Sequence, residues 1–556
     1  MKKNFAYLLG AVLSLSAISS AQELDPASIL KGAVDGWPTY SGDYTGQRYS
    51  PLKAITQSNI KSLSLAWATT LSAGPGAPTG AGTAVTPPSI EGGEGSVIYN
   101  NPPNVRGAIL QVDGVLYPTS PDNVWAIDAH DGHEIWHFYW KTKGGTHIGN
   151  RGVAMWKKWI YFETPDNYLI CLDAATGKER WHKEIASFEQ QYFSTMAPIV
   201  IGNHLLVGTG DDLDEPGMLQ SRDPETGELQ WTWYAVPMKA GDPGADTWAN
   251  IDASSHGGGN VWVPGSYDPE THLYIFGTGN PTAAYTSQKR GPGANLYTCA
   301  LVAVNVETGK MAWYYQTSPH DTHDYDSAQT PILFDGDFNG KPRKLVMTLA
   351  RNGYFFVIDR LTGEHLLTSK ASESVNWASP TLDKNGAPVR IPAKDYDVAG
   401  AIVSPPNQGT VNWPPPSYNP VTKLFYVQTA DAYAMYYLST LDPRGAMGLG
   451  GKDEIGLGSM GSFLTAIDYQ TGKIAWQHRY PGPGNYGLQN GVLNTAGQVL
   501  FAGDPNGNLV AYDPANGKQL WHARIGVSNA PQTYMLDGHQ YVIVGAGSMV
   551  YAFRLN

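Results

Sequence analysis

Two cysteines in 556 residues, Cys171 and Cys299, exclude a disulfide-dense scaffold. Both lie in strand-like runs, YLICLDA and YTCALVAV, and are read as buried thiols, although an oxidising compartment would allow them to pair. Neither belongs to a Cys-x-x-Cys-His segment, so no covalently attached c-type haem is encoded. Charged residues make up only 15% of the chain and the formal net charge is −12, a balance that repels phosphate backbones and disfavours nucleic-acid binding. Long apolar runs are also missing: beyond the N-terminus nothing approaches the roughly 20 consecutive apolar residues a membrane span needs. The one apolar run, Phe5 to about Ala17, follows Met1-Lys2-Lys3 and precedes Ser19-Ser20-Ala21. That order reads as a secretory signal peptide over 1–21, which makes 22–556 a mature domain bound for the periplasm or secreted.

What is abundant is turn and strand chemistry, with 63 Gly, 39 Pro, 32 Tyr and 17 Trp. One pattern recurs: a strand, Asp, two or three residues, Thr-Gly or its equivalent, then a strand ending in Trp. Its copies are AIDAHDGHEIW from Ala126, CLDAATGKERW from Cys171, SRDPETGELQW from Ser221, AVNVETGKMAW from Ala303, VIDRLTGEHLL from Val357, AIDYQTGKIAW from Ala466 and AYDPANGKQLW from Ala511. The closer pairs sit roughly 45 to 50 residues apart, the period of a propeller blade. Asp and Gly supply each turn, and alternating apolar residues supply the flanking strands. A single blade cannot bury both its faces, whereas blades stacked radially can. The expected fold is therefore all-β: an eight-bladed propeller with Trp-docking blade repeats, although the uneven spacing also allows six or seven. Ring closure predicts that the last strand, SMVYAF up to Phe553, shares a blade with the early strand around Leu63 to Trp67. Ser72 to Pro103 and Ala430 to Gly461 read as insertions, functional loops or solvated connectors with equal weight.

The tags, together with WPTYSGDYTGQRYSPLKAI near the start and LNTAGQVLFAGDPNGNLVAYDPANGKQLW near the end, resemble the quinoprotein alcohol dehydrogenases, methanol dehydrogenase large subunits included. The resemblance spans nearly the whole mature chain and implies a pyrroloquinoline quinone (PQQ) cofactor over a bound metal ion. In FGTGNPTAAY it puts a metal ligand at Asn280, which read alone is equally a turn Asn before Pro. In PHDTHDYDSAQTPIL it puts the catalytic Asp at Asp324 with Asp326 two residues on. On a strand, residues two apart would share a face, and a multivalent cation would relieve their repulsion; a solvated acidic loop is the plain alternative. In LVGTGDDLDEPGM the family's metal-binding Glu is replaced by the shorter Asp212, with Asp211 and Asp214 as possible substitutes.

For the cofactor, SHGGGNVWVPGSYDP implies Trp262 as a stacking floor, otherwise a buried propeller Trp. The same resemblance implies Arg351 at the quinone carbonyls and as a catalytic partner of Asp324. Arg151, Thr195, Gly210, Asn260, Asn412 and Trp413 are the further cofactor contacts. Asn260 stands where relatives carry a hydroxyl residue, and Gly145-Thr146 where many carry a disulfide of adjacent cysteines over the cofactor. The second Asp of Asp-Tyr-Asp resembles the lanthanide-using branch, so a lanthanide is expected, with calcium as the alternative. The implied reaction is oxidation of an alcohol to an aldehyde or ketone, with electrons passed to a separate c-type cytochrome or other acceptor. The rival readings are a non-catalytic scaffold propeller, a metal-dependent hydrolase or lyase, and a sugar dehydrogenase with the same cofactor.

Overall fold

The computed structural model describes residues 22–32, 34–72, 74, 89–96, 103–395, 400–438, 452–482 and 490–556. The expected signal peptide lies outside them. Among the described residues no helix is long and apolar enough to cross a membrane. Among the described residues the strands form eight sheets of four to six strands and one two-stranded sheet. Most of the large sheets are antiparallel meanders in chain order, for example Ile199–Ile201, His204–Thr209, Met218–Arg222 and Leu229–Tyr234.

Buried apolar clusters join each large sheet to the next in sequence. Phe138 meets Phe162, Leu172 and Leu206 share a cluster, and so do Leu301 and Phe356. Farther on, Phe355 packs with Phe425, Tyr426 with Tyr512 and Phe501 with Phe553. Ile543 then shares a cluster with Trp125, which returns the contacts to the start. The arrangement is a β-propeller, and its ring is fastened as the sequence predicts. Leu63–Thr70 pairs antiparallel with Met549–Leu555, placing Leu65 opposite Phe553.

The tags weld neighbouring sheets. Within a tag the Asp carboxylate accepts backbone N–H bonds, as Asp173 Oδ1 does from Thr176 at 2.9 Å, which fixes the turn. Trp67 on the closing strand, and the Trp that ends a tag, lie on the Gly of the next tag and donate the indole N–H to a nearby carbonyl. Trp67 donates to Ala129, Trp136 to Ala174, Trp181 to Glu225, Trp231 to Val306, Trp313 to Arg360 and Trp476 to Pro514, at 2.8 to 3.1 Å. Gly is required under these rings for two reasons. At Gly177, for example, φ is +68°, and a Cβ would come within 2.6 Å of the Trp136 indole. The tag without Trp places Leu367 and Ser369 against Gly472 instead.

Both cysteines are free and buried; Cys171 lies in the strand Tyr168–Asp173 as read, whereas Cys299 sits in a bend just before Ala300–Asn305, at φ +46°. Of the two stretches read as insertions, 75–88, 97–102 and 439–451 lie outside the described residues, and the described parts include strands. Ile90–Gly92, from the first, adds a parallel strand beside Glu134–Trp140. The second is a strand ribbon: Leu424–Leu438 pairs along its whole length with Lys452–Asp468. Along Leu424–Leu438 alternation buries Ala432, Ala434 and Tyr436, whereas on the partner strand Ile455 to Gly458 are all exposed.

Candidate active site

An up-and-down meander puts its second-to-third connection, and the connection to the next sheet, at one end of the ring. The tag turns, which join third to fourth strands, fall at the other end. Asp212, Asn280 and Arg351 follow second strands, His204–Thr209, Leu273–Gly277 and Lys341–Leu349. Arg151, Thr195, Trp262 and the Asp324-Tyr325-Asp326 segment lie in connections between sheets. All therefore gather at the end opposite the tags. There they line one cavity of about 240 Å³ with Asn260, and His147, Ile148, Phe193, Asn407 and Gln408 complete its wall.

Arg351 is the hub. Its Nη1 lies 3.0 Å from Asp324 Oδ1 and its Nη2 3.2 Å from Asp326 Oδ2. Asp326 also accepts from the Trp262 indole N–H at 2.9 Å and from the Asn280 backbone N–H at 2.6 Å. Asp212 is held separately, by Asn260 Nδ2 at 2.8 Å and His147 Nε2 at 2.7 Å. The guanidinium of Arg151 lies 4.5 Å from the Trp262 ring centre and 4.8 Å from that of Trp413, and Arg351 is 5.3 Å from Trp262.

The electrostatics follow from burying three carboxylates beside two guanidiniums. Burial pushes Asp324 well above the usual carboxylate range. Arg351 pulls it back, while Asp326 and Asp212 add to the rise. Asp326 is raised for the same first reason and opposed by the same guanidinium. Burial alone would lower Arg351, but Asp326 and Asp324 outweigh it and hold the group firmly cationic. Arg151 is lowered by burial to about 10, opposed only in part by Tyr40 and Glu163.

The strand expected for Asp324 and Asp326 is absent: the segment is an irregular turn with Asp324 at φ +65°. Asp321 causes it, because its Oδ2 accepts the backbone N–H groups of His323, Asp324 and Tyr325. The two carboxylates converge through Arg351 rather than through strand alternation. Asp211 plays the same part ahead of Asp212, accepting from Leu213, Asp214 and Glu215, so its oxygens serve the loop. Asp212, not Asp211 or Asp214, lines the cavity.

Three expected cofactor contacts, Gly210, Asn412 and Trp413, stand back from the cavity wall, and Trp413 reaches it only through the Arg151 guanidinium. Asn412 accepts from the Trp413 backbone and donates to Gln408 O, holding its own loop. Gly210 makes room: a Cβ there would lie 2.1 Å from Asn260 Oδ1. The residue after Gly145-Thr146, His147, enters the wall against Phe193, at 4.4 Å between ring centres. Nothing in the sequence flags His147, Phe193 or Asp321, whose partners are set by loop geometry.

The residues present fit a planar polyanion over a hard cation. Carboxylate and amide oxygens are the donors such a cation takes. The buried Nε–H groups of Arg151 and Arg351 have no hydrogen-bond partner among the described residues, which leaves donors for an anionic ligand.

Residues 37–381 match the family of glucose/ethanol/alcohol dehydrogenase β-propeller domains, and 455–552 match the outer membrane protein assembly factor BamB. A quinohemoprotein alcohol dehydrogenase of Comamonas testosteroni is 35% identical over 96% of this chain and 75% of its own length. The quinoprotein alcohol dehydrogenase PedH of Pseudomonas putida is 32% identical over 90% of this chain and 84% of its own. The Comamonas testosteroni crystal structure superposes with a TM-score of 0.84 over 97% of this chain and 83% of that one, at 32% identity. A europium-containing methanol dehydrogenase gives 0.82 over 95% and 100%, at 25% identity. The chain belongs to the PQQ-dependent alcohol dehydrogenases. It is an oxidoreductase of that family, and these relatives do not favour the scaffold reading.

Proposed function

We propose that this protein is an eight-bladed, periplasmic quinoprotein dehydrogenase that oxidises an alcohol to an aldehyde or ketone and passes electrons to a separate c-type cytochrome. The observation that carries the reading is the convergence of Asp324, Asp326, Asp212 and Asn280 beside Trp262 and Arg351 in one cavity. Trp262 offers the flat face for PQQ, and Arg151 and Arg351 offer the cations at its edge. Thr195, Asn260, Asn412 and Trp413 support that wall, and Gly210 leaves Asn260 its space. Asp212, Asn280, Asp324 and Asp326 would hold the metal ion. When bound, PQQ supplies the acceptor for two reducing equivalents, and the cation polarises its reactive carbonyl.

The chain's own residues then manage the proton and the charge. Asp324 Oδ1 or Oδ2 takes the hydroxyl proton of the alcohol as general base. Arg351 keeps that carboxylate aimed and offsets negative charge at its guanidinium. Asp326, locked by three donors, keeps Trp262 and Arg351 in register with each other.

Three carboxylates facing a polyanionic cofactor favour a trivalent ion over a divalent one, which supports a lanthanide above calcium. Export of the chain would follow from residues 1–21. Reconstitution of the purified protein with PQQ and either lanthanum or calcium, followed by dye-linked oxidation of alcohols and sugars, tests the reading. Turnover of an alcohol with lanthanum in preference to calcium is expected. Turnover with calcium alone would overturn the metal assignment, and no PQQ binding with either ion would overturn the site. Preference for a sugar would move the substrate class.

A further inference from the structure

Among the cavity carboxylates, Asp212 is the one that no guanidinium holds. Arg351 fixes Asp324 and Asp326, whereas the orientation of Asp212 rests on Asn260 at Oδ1 and His147 at Oδ2. Asn260 is itself fixed, because its Oδ1 accepts the Asp211 backbone N–H at 3.0 Å. His147 comes from elsewhere, the irregular connection between Glu134–Trp140 and Ala154–Trp156. A carboxylate can only accept, so the imidazole must carry its proton on Nε2 to make this bond.

The ring is braced rather than free. It rests on Phe193, and Phe193 is bridged backbone to backbone with Gly210, one residue before the turn that carries Asp212. The neighbouring Thr146 Oγ1 donates to Gln191 O at 3.3 Å, which ties the same connection to the Phe193 segment a second time. His147, Phe193, Gly210 and Asp212 therefore form a closed circuit in which the position of the imidazole sets that of the carboxylate.

We propose that His147 is a positioning residue of the active site: it orients Asp212 toward the metal ion through its Nε2–H and, with Phe193, forms the cofactor wall beside that carboxylate. The proposal rests on the site reading above. Partners that orient metal ligands from behind are typically worth about 10- to 100-fold in metal affinity, and that is the effect expected here.

The test is calorimetric titration of lanthanum into the full-length protein saturated with PQQ. The wild type is compared with His147→Ala, His147→Phe, which keeps the ring but not the donor, and His147→Gln, which keeps a donor at similar reach. Thermal unfolding of each variant establishes that it is folded. Alanine and phenylalanine should weaken lanthanum binding by about 10- to 100-fold, and glutamine should recover most of the loss. Wild-type affinity in folded His147→Ala and His147→Phe would refute the proposal, and so would a glutamine variant as weak as alanine. A wild-type protein that takes up neither lanthanum nor calcium with PQQ would remove the site reading itself, and the proposal with it.

Discussion

Replacing Asp324 by asparagine removes a negative charge and a proton acceptor while keeping the side chain's shape. The fold should tolerate it. Arg351 retains Asp326 at 3.2 Å, the Asp324 carbonyl at 3.1 Å, and an amide oxygen where Oδ1 stood. The ion pair becomes a hydrogen bond from the guanidinium to a neutral acceptor, a loss of about 1 kcal/mol. Asp326 and Asp212 both push the Asp324 carboxyl up, so losing the charge also relieves repulsion and offsets part of that cost. Catalysis should not tolerate it, because loss of a general base is worth about 10²- to 10⁴-fold, or roughly 3 to 5 kcal/mol of barrier. The assay is steady-state, dye-linked alcohol oxidation at saturating PQQ and metal, alongside the melting temperature and a PQQ titration for each form. Asp324→Asn should melt within a few degrees of wild type, bind PQQ, and lose kcat by about two to four decades. A loaded, folded variant with kcat within about tenfold of wild type would refute the assignment of Asp324 as base.

Substitutions at three further positions probe other parts of the argument. Gly210→Ala should push Asn260 off Asp212 at an overpacking cost of about 1 to 3 kcal/mol, and bound metal measured by mass spectrometry should fall. Trp136→Ala should destabilise by about 3 to 5 kcal/mol in urea unfolding. Trp136→Phe, which loses only the bond to Ala174, should cost about 1 kcal/mol. Asp122 is buried with neither carboxylate oxygen bonded, and burial holds its pKa well above the usual value. Its ionisation favours the unfolded chain, so its unfavourable contribution is absent below the unfolded pKa and grows as pH rises toward the folded one. Asp122→Asn, at a φ of +64° that Asn accepts readily, should therefore raise the melting temperature increasingly as pH rises above the ordinary carboxylate range. A constant or shrinking difference in differential scanning fluorimetry would contradict this.

The blade junctions were legible because one short pattern makes the whole junction: its Asp builds the turn, its Gly admits the neighbour's ring, and its Trp is that ring. Ring closure was legible for a related reason, since an apolar strand at each end of the chain needs a partner. The turn at Asp324 was not, because Asp321 holds it through three backbone N–H groups and no residue-type pattern distinguishes that from strand alternation. The ribbon at Ala430 to Gly461 was hidden for a different reason. Gly456 and Gly458 are weak strand formers, and pairing with Ala434 and Tyr433 overrides that preference. His147 lies 65 residues from Asp212 in the chain, and nothing local to either predicts their contact.

Strand parity explains why stability and chemistry can vary separately in this fold. Every tag turn falls at one end of the ring, where Asp, Gly and Trp serve the junctions between sheets. Every candidate site residue falls at the other end, in connections whose length and conformation the junctions do not dictate. Turns at that end can therefore take costly shapes, such as the left-handed Asp324, and crowd carboxylates beside one guanidinium. The paired strands beneath them fix the anchor points, so the Asp211 and Asp321 turns need only local hydrogen bonds to hold Asp212, Asp324 and Asp326 in place. Much of the repulsion among those carboxylates is already met by Arg351, Trp262, Asn280, Asn260 and His147, so the carboxylate cluster stands assembled by protein donors alone.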